Sequence, residues 1–429
     1  LQNHIEICIR VCYNYIERAK QKIYNILGKG AVQMEKLRVG VIGLGCRGYS
    51  LLKDVMLHMA DVEITAVCDE YEDRAQAAAE LTKNKTGKTP LTTVDVQEVL
   101  DSSQVDVVVI SSAWESHIPL AVRAMYAGKA VGMEVGGAYS IKQCWDLVDA
   151  WEATKVPFML LENCCYGRRE MMVMNMAKKG VLGRIVHCKG GYLHDLREEI
   201  AGGEENRHYR LRNYIHRNAE NYPTHELGPI AQILNINRGN RMLTLSSMAS
   251  KAEGLLEYLT DRGQEIPGFS QGDVVNTTIK CAGGETILLT LNTTLPRFYS
   301  RDFTVCGTKG MYEEATDSVF LDKKDVEYDF KWKEEWGNAA DYESEYEHPT
   351  WKKFLAEGIQ GGHDGMDWLE FEAFFDSVRN HRPCPIDVYD AAAWMCISVL
   401  SEESIALGGQ PVAVPDFTNG KWILPSQEK

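Results

Sequence analysis

Apolar residues first gather at Leu37, Val39, Val41 and Ile42, the short run expected of a buried parallel strand. The run passes directly into Gly43-Leu-Gly45-Cys46-Arg47-Gly48, and Tyr49 to Met59 then carries a helix-compatible pattern. This alternation recurs. Glu63 to Cys68 reads as a second strand ending on Asp69, Asp73 to Lys83 as a helix, and Asn84 to Pro90 as a polar linker. Val94 to Ser102 predicts a helix and Val105 to Ile110 a third strand. Two more helices follow, at His117 to Ala127 (closed by Gly128) and Ile141 to Thr154, with strands at Ala130 to Glu134 and Phe158 to Leu161. Strand and helix in regular succession predict an α/β, doubly wound parallel sheet of the Rossmann type over residues 34–160.

Beyond residue 160 the pattern changes. Met171 to Lys179 is helical, but strands then dominate at Ile185 to Cys188, Met242 to Ser247, Val274 to Cys281 and Thr286 to Thr293. Gly283-Gly284 between the last two suits a hairpin turn. Residues 161–429 therefore read as an α+β domain with a large, open, mostly antiparallel sheet. Two late helices, Met366 to Arg379 and Val388 to Leu407, are expected to pack back on the first domain. The acidic stretch Lys323 to Trp336 reads as a surface excursion. Residues 1–33 place Ile5, Ile9, Cys12, Ile16 and Ile23 at amphipathic spacing, so they are either a helical extension or sequence foreign to the fold upstream of Met34.

The chain has 429 residues, room for two or three domains. Its net charge of -15 argues against a nucleic-acid or anionic-membrane surface and leaves a small molecule or glycan as the expected partner. No apolar run reaches the ~18 residues of a membrane helix, and residues 1–33 lack a signal-like apolar core. A cytoplasmic protein is expected, with export open if the N-terminus is incomplete, and a homo-oligomer of two or more copies. The 12 cysteines are scattered and fit buried thiols in a reducing compartment.

The glycine turn is G-x-G-x-x-G: Gly43 permits the tight turn, Gly45 admits a pyrophosphate, and Gly48 lets the helix pack on the strand. Asp69 stands where an acid would bind ribose hydroxyls and would repel a 2′-phosphate, so NAD is the expected cofactor. Ser112 to His117 follows the third strand at the ligand-binding edge of the sheet. There His117 would line the nicotinamide ribose or be an ordinary residue of a helix start. Glu134 ends the next strand and faces the same crevice. Polar residues are densest between Glu162 and Glu226, in a mixture of Gly, Pro, Tyr, His and Arg suited to gripping a polyol. His194, Asp195, His208 and His225 form a rival metal set, but none has a standard ligand spacing and no metal is expected.

These motifs resemble the glucose–fructose oxidoreductase/inositol dehydrogenase superfamily. From Leu37 to Trp422 the chain is similar to glycoside hydrolase family 109, the NAD-dependent α-N-acetylgalactosaminidases. The resemblance is carried by Gly132-Met-Glu-Val135, Leu161-Glu-Asn-Cys-Cys-Tyr166, Gly190-Gly-Tyr-Leu-His-Asp195, Tyr222-Pro-Thr-His225, Ile236-Asn-Arg-Gly-Asn-Arg241, Gly361-Gly-His-Asp-Gly-Met366 and Pro415-Asp-Phe-Thr-Asn-Gly-Lys421. It implies NAD contacts from Gly43, Gly45, Cys46, Arg47, Gly48, Asp69, Trp114, Glu115, His117, Glu134, Val135, Asn163 and Tyr222. It implies a sugar pocket of Tyr192, Arg210, Tyr222, Pro223, Thr224, His225 and Tyr299. Dehydrogenases of the wider superfamily usually carry Glu-Lys-Pro where this chain has Glu134-Val-Gly, and the missing lysine disfavours net oxidation.

The implied reaction is redox-neutral hydrolysis, in which a tightly held NAD oxidises the sugar at carbon 3, elimination and water addition follow, and the hydride returns. It is a recognised exception to the two-carboxylate scheme of glycosidases. His225 is expected to accept the carbon 3 hydroxyl proton and Tyr166 the carbon 2 proton, the two roles being interchangeable on sequence alone. The alternatives are an NAD-dependent sugar or polyol oxidoreductase and, third, a non-enzymatic sugar sensor.

Overall fold

The computed structural model describes residues 36–203, 205–264, 268–322 and 332–424. Residues 1–33 and residues 323–331 of the acidic stretch lie outside the described residues.

The first sheet comprises β1 (Leu37–Ile42), β2 (Val62–Cys68), β3 (Leu91–Thr93), β4 (Val107–Ile110), β5 (Ala130–Glu134) and β6 (Phe158–Leu161). All six run parallel, in the order β3-β2-β1-β4-β5-β6. Between them lie α1 (Cys46–Asp54), α2 (Glu72–Thr86), α3 (Val96–Asp101), α4 (Trp114–Tyr126) and α5 (Ile141–Thr154). Strands β4, β5 and β6 are buried throughout. A parallel sheet covered on both faces requires this, and it is why these strands read as unbroken apolar runs. Strand order reverses between β1 and β4, so their carboxyl ends frame the crevice where such sheets hold ligands. Two local expectations fail. β3 lies just past the predicted linker and is too short to show a period. The first helix stops at Asp54, and a separate 3-10 turn, Met56–His58, takes over.

After α6 (Arg168–Lys178) the chain enters the second sheet through β7 (Ile185–Leu193), five residues longer than its apolar pattern suggests. Three helices follow inside the polar stretch: α7 (Arg197–Ala201), α8 (Arg210–His216) and α9 (Thr224–Ile233). Then come β8 (Met242–Ala249), α10 (Gly254–Asp261), β9 (Val275–Cys281), β10 (Thr286–Asn292), β11 (Thr304–Gly307), β12 (Gly310–Glu313) and β13 (Ser318–Leu321). Helices α11 (Glu343–Tyr346), α12 (Pro349–Glu357), α13 (Met366–Arg379) and α14 (Val388–Ala406) precede the last strand, β14 (Val412–Ala413). The eight strands lie in the order β13-β12-β11-β7-β10-β9-β8-β14. Only β7 and β10 pair parallel; the rest are antiparallel. Burial alternates along β9, as in a sheet with one covered face.

Both late helices return to the first sheet. A Cβ at Gly132 of β5 would meet the Phe374 ring of α13 at 2.8 Å, so glycine is what allows the close approach. Leu160 N–H donates to the Ile386 carbonyl at 3.2 Å, and Ala138 N–H to that of Met395 at 3.0 Å. Helix α14 is apolar nearly all round because it is enclosed by α5 and β6 on one side and β8 on the other.

Candidate active site

The turn from β1 to α1 uses its three glycines in three ways. Gly43 has φ +91 and donates its N–H to the Cys68 carbonyl at 2.8 Å. A Cβ at Gly48 would overlap the Gly43 carbonyl oxygen, so the helix start packs directly on the turn. At Gly45 a Cβ would meet nothing nearer than the Arg74 guanidinium at 3.7 Å. That glycine leaves its backbone open to a cleft of about 760 Å³, the concave main chain a pyrophosphate needs. Asp69 accepts from Leu44 N–H at 2.6 Å and Tyr71 N–H at 2.9 Å, so the carboxylate at the ribose position also braces the turn. These features fit a dinucleotide.

Other expected cofactor residues surround the same cleft, in roles the pattern does not show. His117 Nε2 donates to the Ser112 carbonyl at 2.9 Å, and burial pushes its pKa down to about 4, leaving a neutral ring. Glu115 pairs with Arg212 of α8. Arg47 Nε meets Glu134 at 2.9 Å while its Nη1 meets Asp367 at 2.8 Å. Asn163 Nδ2 donates to the other Asp367 oxygen at 2.8 Å. Asp367 and His363, themselves 2.8 Å apart, were missed because they arrive from α13 and the turn before it, some 320 residues after Arg47. Cys46 and Val135 line the cleft as well.

The sugar side is walled by rings. Tyr222 lies 5.4 Å from Trp114 and 4.5 Å from Tyr192, centroid to centroid. The Arg210 guanidinium sits over Trp114 at 5.0 Å and over Tyr222 at 5.2 Å, and its Nε pairs with Glu199 at 2.8 Å. Its Nη1 is buried without a partner among the described residues, the state of a donor that a ligand oxygen would satisfy. Pro223 caps α9 and Thr224 is fully buried behind the wall, so His225 projects from the helix's first turn. Its Nδ1 lies 2.7 Å from Glu162 Oε1, and its Nε2 lies 3.5 Å from the Tyr222 hydroxyl. The Tyr192 hydroxyl is 3.4 Å from His194 Nδ1.

Environment drives these two histidines apart. Burial disfavours the His225 imidazolium, but the Cys164 sulfur and the Glu162 carboxylate outweigh it and hold its pKa well above the ordinary value. Burial would raise Glu162, yet His225 keeps it below the usual carboxylate range. His194 is pushed down by burial and then by Arg210, which favours the neutral ring. Burial and Tyr192 push the Tyr222 phenol up, so it stays protonated. Glu162 is the main residue the sequence reading passed over. It sits inside the quoted Leu161 to Tyr166 motif, but a lone acid ending a buried strand has no periodic signature.

Tyr166 is a correction. It closes the 3-10 turn Asn163–Tyr166 and lines a different cavity, of about 1020 Å³, between α6, α12 and α13. Its hydroxyl is buried with no partner among the described residues, and burial pushes its pKa well up. Trp351 Nε1 donates to the Tyr166 carbonyl at 2.9 Å and ties that backbone to α12, away from the cleft. Tyr299 stands at the rim, 5.1 Å from the His194 ring. The rival metal set is not brought together: Asp195 pairs with Arg197, and His208 stacks on Tyr209. Among the described residues, the trio whose donor atoms lie within 4.8 Å of one another is Glu162, Cys164 and His225.

Among the described residues no helix is long and apolar enough to cross a membrane. Comparison with known proteins adds identity to this geometry. Residues 37–161 match the oxidoreductase family with an NAD-binding Rossmann fold, and residues 166–424 match the glycosyl hydrolase 109 C-terminal domain. Among solved structures, an NAD binding oxidoreductase from Klebsiella pneumoniae superposes with a TM-score of 0.66 over 89% of this chain and 99% of its own, at 17% identity, a likeness of fold. A scyllo-inositol dehydrogenase from Lactobacillus casei, solved with NAD(H) and scyllo-inositol, gives a TM-score of 0.63 at 13% identity, over 89% and 99%. A glycosyl hydrolase family 109 protein of Stenotrophomonas maltophilia is 37% identical, over 90% of either chain. An α-N-acetylgalactosaminidase of Tannerella forsythia is 37% identical, over 90% of this chain and 87% of its own. The chain belongs to glycosyl hydrolase family 109, with an NAD-binding Rossmann domain preceding the family's own C-terminal domain.

Proposed function

We propose that the protein releases terminal α-linked N-acetylgalactosamine by redox-neutral hydrolysis, with NAD retained and regenerated in each turnover. The observation that carries this reading is that Tyr192 and His225 line one cleft with their rings 5.6 Å apart, while His194 stands 3.4 Å from the Tyr192 hydroxyl and is tuned oppositely to His225, since groups whose environments separate their pKa values are natural acid and base partners. The two carboxylates at the cleft floor, Glu134 and Glu162, are each committed to a cation. Neither is placed as the nucleophile or acid of an ordinary glycosidase, which suits the NAD-dependent exception.

Gly45, Asp69, Asn163 and Arg47 would hold the dinucleotide. Bound NAD supplies a reversible hydride acceptor for sugar carbon 3. The carbon 3 hydroxyl proton leaves to solvent as the hydride departs and comes back from solvent when the hydride returns. Meanwhile the ketone so formed acidifies the carbon 2 hydrogen. Tyr192 is the acceptor side: it takes that proton as it passes its own to neutral His194. His225, held protonated by Glu162 and Cys164, is the donor side and protonates the departing carbon 1 oxygen. Tyr222 keeps its own proton and orients the His225 ring. Relative to the sequence expectation, His225 changes from acceptor of the carbon 3 hydroxyl proton to donor toward the carbon 1 oxygen, and Tyr192 takes the carbon 2 proton in place of Tyr166.

A chromogenic α-N-acetylgalactosaminide hydrolysed in deuterated water tests the reading. Phenol release without matching NADH, and deuterium at carbon 2 of the product, are expected. NADH rising one-for-one with an oxidised sugar, and no phenol, would establish an oxidoreductase instead.

A further inference from the structure

Between α12 and α13 the chain turns through Gly361-Gly-His-Asp-Gly-Met366, with φ +76 at Gly361, +49 at His363, +53 at Asp364 and +95 at Gly365. Glycine adopts such angles freely, but histidine and aspartate adopt them at a cost in backbone energy. Strain of this kind persists only where the surroundings enforce it, and it gathers at ligand sites. Packing enforces it here. Gly365 N–H donates to the Gly362 carbonyl at 3.1 Å, and a Cβ at Gly365 would overlap the Phe354 ring of α12. The turn brings His363 into the wall of the dinucleotide cleft with Gly45, Arg47, Asp69 and Glu134, its side chain 56% exposed. Among the described residues its polar contacts are at Nδ1, with Asp367 Oδ2 at 2.8 Å and Arg47 Nη1 at 3.2 Å. Burial would raise Asp367, but His363 and Arg47 outweigh it and keep that carboxyl ionised. A carboxylate has no proton to give, so the ring donates Nδ1–H to it. In the neutral ring Nε2 is then an acceptor.

We propose that His363 is a cofactor-binding residue whose Nε2 accepts a hydroxyl of the nicotinamide ribose. The inference rests on the NAD reading and extends it to the half of the dinucleotide that the C-terminal domain grips. Neighbours of the ring fix which half. Arg47 ties His363 to Glu134 at the end of β5, and Asp367 ties it to Asn163 just after β6. In the sheet order these strands lie across the crevice from β2, whose end carries Asp69 at the adenosine ribose. His363 therefore stands at the nicotinamide end. A ribose hydroxyl suits it because a hydroxyl has a proton to donate. A diphosphate offers only acceptors and would set lone pair against lone pair.

The test measures binding at about pH 8, above the ordinary histidine value of about 6.5. NADH is followed by its fluorescence, and ADP-ribose and ADP by their displacement of it. ADP-ribose keeps the second ribose, whereas ADP keeps only the adenosine and the phosphates. His363→Gly removes the ring while easing the left-handed backbone, so it should melt within a few degrees of the parent. Loss of one hydrogen bond should raise Kd for NADH and for ADP-ribose roughly five- to tenfold and leave ADP within about twofold. His363→Gln, whose amide oxygen reaches the position of Nε2, should bind all three within about threefold of the parent. Unchanged NADH or ADP-ribose binding in His363→Gly, an equal loss for ADP, or a His363→Gln protein as weak as His363→Gly would each overturn the contact. A parent that binds neither NADH nor ADP-ribose would count against the dinucleotide reading itself.

Discussion

His225 and His194 carry the same imidazole into opposite charge states, and their surroundings account for the difference. The Cys164 sulfur and Glu162 at 2.7 Å favour the charged form of one; burial and Arg210 favour the neutral form of the other. Activity should therefore rise as His194 loses its proton, below the ordinary histidine value of about 6.5, and fall as His225 loses its own above it. Glu162→Gln removes one of the two groups that raise His225, the other being Cys164. The alkaline limb of kcat/KM should move down by roughly one pH unit or more, and kcat should drop about tenfold, while the acid limb stays in place. An alkaline limb that does not move would take His225 out of the acid role. Tyr192→Phe should abolish deuterium uptake at carbon 2, read by mass spectrometry of the released sugar, and undiminished uptake would clear Tyr192 of the role. None of this pairing could be read from the chain. Glu162 and His225 are each recognisable as polar residues in motifs, but their contact depends on how β6 meets the first turn of α9.

Among elements, the β1–α1 turn was the most legible, because each of its glycines answers a steric need that spacing alone reveals. The structure separates those needs. Gly45 has φ −64 and ψ −173, a conformation any residue adopts, and faces open cleft. Gly48 faces the Gly43 carbonyl. Gly45→Ala should therefore melt within a few degrees of the parent yet bind NAD at least about tenfold more weakly. Gly48→Ala should lose roughly 3–10 °C in Tm through overpacking. Calorimetry and NADH fluorescence distinguish the two; equal Tm losses would refute the division of labour. Strands β4 to β6 and helices α13 and α14 were equally plain, their periods being set by burial. The stretch holding α7, α8 and α9 was not. There Arg, His, Tyr and Asn turn toward the cleft on helical segments, so the polar face that makes the site also hides the helix.

Across the whole molecule, the mouth of the dinucleotide cleft is closed over by segments far apart in the chain. Arg207 meets Asp73 at 2.7 Å, Arg74 donates to the Asn206 carbonyl at 2.7 Å, Arg212 pairs with Glu115, and Tyr209 packs on Trp114 at 4.8 Å. Together they lay residues 205–212 along the mouth of the dinucleotide cleft. Exposed ion pairs of this kind are weak singly and screened by salt. Raising salt from about 50 to about 500 mM should speed NAD release severalfold, followed as loss of bound NADH fluorescence on dilution. A salt-independent rate would mean that the rings and the glycine turn hold the cofactor alone.

The packing of α13 and α14 on β5 and β6 also fixes an order of events during synthesis. The first sheet is complete in sequence at Leu161, but the helices that shield one of its faces lie more than 200 residues further on. Similarly, β7 carries Tyr192 and His194 but sits between β10 and β11, which are made about 100 residues later. At the ~5–20 residues per second of translation, a greasy sheet face waits for tens of seconds beside the ribosome. The nascent chain is thus most vulnerable to aggregation in its middle third of synthesis. Chaperones that hold apolar surface should govern how much active enzyme a cell obtains.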